Sequence, residues 1–126
     1  MTNPVLEAIS LRRSIRGYAP EQITPEQRDA LIQAALESPS GMDRQPWHFS
    51  VAQSAALLDD MNSAAHGQVA KDPVLLAATR FSDRDFHVFY SAPTVIFISL
   101  DKSAPAGQLV DAGIAAENIA LAAWSM

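Results

Sequence analysis

The stretch that most constrains this chain is its last nineteen residues, Gln108 to Met126, QLVDAGIAAENIALAAWSM. It reads as helix and is apolar on almost every side, so it belongs inside a protein or at a subunit interface. Shortly before it stands PTVIFISLD, where Val95 to Leu100 are nearly all apolar and rich in β-branched residues. That pattern predicts a strand buried on both faces and central in a sheet. Only one other segment, HFSVAQ from His48 to Gln53, alternates like a strand. Two strands make a marginal sheet, so something further must complete it and cover the helix.

The remaining elements announce themselves by their caps. Asn3-Pro4 opens a helix expected to run to about Arg13, with Val5, Leu6 and Ile9 near helical spacing. Thr24-Pro25 opens a second, and Gln27 three residues after Thr24 makes a capping box. Leu31, Ile32, Ala35 and Leu36 form its expected buried stripe, and Ser38-Pro39 ends it. A third helix spans about Ser54 to Ala65 with Leu57, Leu58 and Met61 inward, and Asp72-Pro73 opens a short fourth. The aromatic stretch FSDRDFHVFYS has no regular period. Helices alternating loosely with two strands in one 126-residue domain predict an α+β fold.

Composition narrows the function classes. There is no cysteine, which excludes disulfides, thiolate metal sites and cysteine nucleophiles and suits a reducing cytosol. A formal net charge of −5 argues against nucleic acid as a partner. No apolar run is long enough to span a bilayer, and the N-terminus lacks a secretion signal, so a cytoplasmic protein with no membrane partner is expected. His48, His66 and His87 have no metal-ligand spacing, and no strong nucleophile or general base emerges. Any redox or transfer chemistry would therefore fall to a cofactor.

Two constellations stand out. LRRSIRGYAP holds three of the nine cations, Arg12, Arg13 and Arg16, within five residues. Guanidinium forks and the Ser14 hydroxyl could converge on a phosphate, and Gly17 would let the chain turn past it. Basic residues closing a helix C-terminus explain the same cluster without a ligand. In ESPSGMDRQPWHF, Pro39, Ser40 and Gly41 read as a tight turn able to meet a polar ligand, and Gln45 offers an amide. A plain helix-to-strand connection with Trp47 plugging the core explains these residues as well.

Together, RRSIRGY, ITPEQRDALIQAALESPSGMDRQPWHFSVA, APTVIFIS and DAGIAAENIALAAWSM resemble the nitroreductase family of FMN-dependent oxidoreductases in order and spacing, from about Val5 to the last residue. The resemblance implies a sandwich of helices around a small mixed sheet, assembled as a homodimer with FMN at the subunit interface. In that family the R-x-S-x-R segment of one subunit meets the FMN phosphate and the pyrimidine side of the flavin. Here it maps onto Arg12, Ser14 and Arg16, with Arg13 adjacent. The P-S segment of the other subunit lies against the flavin and its ribityl chain, which maps onto Pro39, Ser40 and Gly41, with Asp43 and Gln45 following. The implied reaction is ping-pong transfer of two electrons from NAD(P)H to an electron-poor small molecule such as a nitroaromatic or quinone. The flavin carries the chemistry, so no catalytic side chain is assigned. A cation near the pyrimidine edge would stabilise the charge that develops on reduction, a role suited to Arg12.

Two departures qualify the resemblance. Position 43 is Asp where the family usually has Asn, exchanging a donor for a charge. Family members also continue well beyond Met126, so the chain corresponds to the N-terminal portion of the fold. It is expected to be either a piece of a longer chain or a short form completed by another polypeptide. The alternative from another class is a truncated or degenerate flavin-binding protein without turnover.

Overall fold

The computed structural model describes residues 3–103 and 105–126; Ala104, within the expected KSAPAG connection, lies outside the described residues. These residues gather into two compact units. The first comprises the stretch ending at Ser14 together with Ile23–Ser50 and Ile96–Met126, and the second Ile15–Gln22 and Val51–Val95.

The first unit is built on three helices. Helix α1 (Pro4–Leu11) starts where Asn3 accepts hydrogen bonds from the amides of Val5 and Leu6. It stops two residues short of the expected end, because Arg12 leaves helical geometry at φ −53, ψ 137. Helix α2 (Pro25–Leu36) carries the full capping box: Thr24 Oγ1 accepts from Gln27 N, and Thr24 N donates to Gln27 Oε1. Helix α5 (Leu109–Ser125) packs against both α1 and α2.

Strand β1 (Trp47–Ala52) pairs antiparallel with β2 (Val95–Leu100). Asp101 N donates to Pro46 O at 3.0 Å, and the Ser99 hydroxyl reaches His48 O at 3.5 Å, both in one register. Among the described residues the sheet has two strands, so the expected mixed sheet is antiparallel here and β2 is only half buried.

The second unit holds α3 (Ala55–Val69), α4 (Pro73–Ala78) and a partly buried aromatic cluster. Ser54 and Asp72 cap the two helices through side-chain oxygens. His66, Phe81, Phe86 and Tyr90 meet edge to face at 4.8–5.6 Å between successive rings, and Arg80 lies 4.9 Å from the centre of the Phe86 ring. The Gln22 and Gln53 amides and the Thr94 hydroxyl bond one another and the carbonyls of Gln53 and Pro93, which ties residues 15–22 into this unit.

Burial departs from the periodic expectation in an informative way. Leu31, Ala35 and Leu58 are buried as expected, but Leu36 and Leu57 are about half exposed. On α5 the buried residues are Asp111 and Ala115, whereas Leu109 and Val110 are two-thirds exposed (67% and 65%). The buried positions of α5 in this unit are thus polar and small, while Ile114, Ile119 and Leu121 are partly buried and Leu109 and Val110 point out. Trp47 is buried at the start of β1, as a core plug should be.

Candidate functional site

The connection from α2 to β1 has an unusual backbone. Ser40 is extended (φ −137, ψ 153), and a single 3-10 turn follows over Gly41–Asp43. Met42, Asp43 and Gln45 all adopt positive φ (56, 52 and 47). Left-handed geometry is uncommon for non-glycine residues and costs roughly 1 kcal/mol or more at each. Three such residues in four positions persist only where surrounding bonds over-determine the loop.

Those bonds are identifiable. Ser40 Oγ accepts from Gln45 N at 2.9 Å, and Asp43 N and Arg44 N donate to Ser40 O and Gly41 O. Gly41 N is shared between the two carboxylate oxygens of Asp111, each at 3.3 Å. A Cβ added at Gly41 would meet Asp111 Oδ2 at an ordinary 3.9 Å, so this position contributes its amide rather than its lack of a side chain. Ser38, just before the loop, is buried, and its hydroxyl accepts from Asn118 Nδ2 at 3.0 Å. Pro39, Asp43, Arg44 and Gln45 stay exposed.

The basic segment follows α1 as irregular chain. Arg12 is tied through Nε to Glu117 Oε1 of α5 at 3.0 Å, and its other guanidinium nitrogens make no bond among the described residues. Arg13 Nη1 donates to Ser10 O (2.7 Å) and Arg12 O (2.9 Å), so this side chain closes the helix terminus, the ligand-free role foreseen for the cluster. Ser14 ends the first unit's share of the segment, and Arg16 lies in the second unit, exposed and without a hydrogen bond or ion pair among the described residues. Gly17 has open space around it and no positive φ, so the expected close turn is not what holds this position.

Beside the strained loop lies an open cleft of about 400 Å³ lined by Arg44, Gln45, His48, Asp101, Ser103 and Gln108, among others. At its edge Ser103 donates to Asp101 Oδ1 from both N (2.9 Å) and Oγ (2.8 Å). The backbone bond first and the hydroxyl second hold the Asp101 carboxyl below its ordinary value of 3.8. His66 and His87 act as packing and hydrogen-bonding residues: His66 Nε2 contacts Phe86 O at 2.7 Å, and His87 Nδ1 accepts from Phe89 N. Among the described residues no acid or histidine group is placed to hold a metal ion.

The structure thus brings both predicted segments of the first unit onto α5, through Glu117 to Arg12 and through Asp111 and Asn118 to residues 34–41. Sequence reading missed these three α5 residues. The available signal was the spacing of Asp111, Ala115 and Asn118, which falls on one helical face of an otherwise apolar segment.

Known proteins of the same build bear on this site. The family model described as the nitroreductase family matches residues 9–126. A relative from Methanothermobacter thermautotrophicus, whose name pairs NADH dehydrogenase with NAD(P)H nitroreductase, is 33% identical over 97% of this chain and 56% of its own length. Crystal structures of nitroreductases with bound FMN from Bacteroides fragilis and Desulfitobacterium hafniense superpose with TM-scores of 0.88 and 0.89. Each is 34% identical, matched over 98% and 99% of this chain respectively and 66% of its own. The chain belongs to the nitroreductase family and has its α+β fold. It spans little more than half the length of the M. thermautotrophicus relative and about two thirds of those two structures.

Proposed function

We propose that the protein is an FMN-dependent oxidoreductase that passes two electrons from NAD(P)H to an electron-poor small molecule such as a nitroaromatic or quinone. The observation that carries this reading is the strained loop from Ser40 to Gln45, held by side-chain bonds while its outer surface stays open. FMN bound in two structural relatives, and the nicotinamide cofactor in the name of a third protein, support the assignment. When bound, FMN supplies the redox chemistry, taking electrons from the nicotinamide and releasing them to the acceptor in separate half-reactions.

The chain's own residues divide the binding work. Arg16, exposed and without a hydrogen bond or ion pair among the described residues, offers its guanidinium to the phosphate together with the Ser14 hydroxyl. Arg12, oriented by Glu117, keeps its remaining N–H donors for the pyrimidine edge. Arg13 adds positive charge nearby while it closes α1. Pro39, Ser40 and Gly41 form the wall against the flavin, with Asp43 and Gln45 toward the ribityl chain. We place the FMN sites at the interface of a homodimer, each built from the basic segment of one subunit and the loop of the other. The exposed apolar side chains of α1 and α5 suit such an interface.

The test is flavin content and turnover. Purified protein should bind FMN and oxidise NADH or NADPH faster when a nitroaromatic or quinone is added. Arg16→Ala should weaken FMN binding about tenfold to a hundredfold, the loss expected when a charged hydrogen-bonding partner goes. Failure to bind FMN would overturn the reading. A second reading, flavin binding without turnover, draws on Asp43 at the family's usual Asn position. FMN bound but never reduced by either nicotinamide would select it.

A further inference from the structure

Asp111, Ala115 and Asn118 occupy one face of α5 at spacings of four and three residues. Asp111 is only 7% exposed, and a buried carboxylate is costly unless donors surround it. Two sources of positive potential do so here. One is the Gly41 amide, and the other is the positive end of the α5 dipole, in whose first turn Asp111 is the third residue. Two turns on, Asn118 Nδ2 donates to Ala34 O at 3.1 Å and to Ser38 Oγ at 3.0 Å, closing the C-terminal end of α2.

The two anchors bracket Pro39 and Ser40, and Ser40 Oγ passes the constraint on to Gln45 N. A helix that needed only to pack on α2 would do so with apolar side chains, which carry no desolvation cost. The polar pair reaches beyond α2 to the loop and fixes the segment whose backbone is otherwise unfavourable.

We propose that Asp111 and Asn118 are positioning residues for flavin binding: without touching the ligand, they hold residues 38–41 in the conformation that receives it. The proposal rests on the reading of residues 39–45 as a flavin-contacting segment. It adds two residues, far away in sequence, on which the affinity of that segment depends.

The experiment combines amide hydrogen exchange at Gly41 with FMN titration of the same protein. In Asp111→Ala the Gly41 amide should exchange about tenfold faster or more, and FMN affinity should fall about tenfold. Asp111→Asn, whose carbonyl can still accept from Gly41, should restore most of both, whereas Asp111→Leu, which fills the space without an acceptor, should restore neither; rescue by leucine would overturn the tether. Asn118→Ala introduces the best helix former and removes no charge, so it carries the test if Asp111→Ala does not fold; severalfold weaker FMN binding is expected. Unchanged Gly41 exchange in Asp111→Ala would overturn the tether. Faster exchange with unchanged FMN affinity, or unchanged affinity in Asn118→Ala, would overturn the positioning role. A protected Gly41 amide in a protein that binds no FMN at all would overturn the flavin reading and leave the tether standing.

Discussion

Asp43 illustrates how a residue can suit its backbone conformation and still be at odds with the binding role proposed for it. At φ 52 its backbone is left-handed, a region where Asp and Asn are the best tolerated residues after Gly. The backbone therefore accepts either residue, and the difference lies in chemistry: Asp presents a negative charge and no donor, where Asn presents an amide. Asp43→Asn is expected to tighten FMN binding by about threefold to tenfold, a modest effect because the site is exposed. The thermal midpoint should stay within a degree or two of the parent, as for ordinary surface substitutions. Isothermal titration of both proteins checks this, and equal affinities would remove Asp43 from the flavin's surroundings. The arginines divide at the same scale. Their shared sequence suggested one pocket, yet Arg13 is committed to the end of α1, Arg12 is half committed to Glu117, and Arg16 has no partner among the described residues.

Elements were legible wherever their signals are local. The caps at Asn3, Thr24 and Asp72 each act on an amide two or three residues away and are found as read, and Ser54, expected only as the start of a helix, caps α3 in the same way. Thr24→Ala should cost about 1 kcal/mol of stability, the usual loss for a cap, measured as a lower urea midpoint at constant slope. No change would mean that the capping box adds nothing beyond packing of α2 on α5. Burial within elements was less legible. Leu36, Leu57 and Val110 fit apolar stripes but stand open, because periodicity identifies candidate faces and only a neighbouring element selects one. Gly17 shows the converse: its residue type invites a special role that its surroundings do not require.

For the whole molecule, the prominent feature is apolar surface. Val5, Leu6 and Ile9 on α1, and Leu109, Val110 and Trp124 on α5, are all 40% exposed or more. Apolar side chains exposed along two packed helices suit the homodimer interface proposed above. If two copies meet there around FMN, stability must depend on protein and flavin concentration, since whatever binds only the folded state stabilises it by mass action. The expected outcome is a thermal midpoint that rises with protein concentration and rises further with added FMN, alongside a dimer mass by light scattering. A monomer mass and a concentration-independent midpoint would overturn the homodimer.

By itself the sequence determined where helices begin, where β2 runs and which family the chain joins. Each of these depends on residues close together or on a motif order that survives without coordinates. Tertiary structure decided which side of α5 faces inward and therefore what holds the strained loop. Gly41 and Asp111 are 70 residues apart, and Arg12 and Glu117 are 105 apart. Single hydrogen bonds between such distant residues impose no period on either segment, so an apolar helix could be recognised at sight while its polar working face could not.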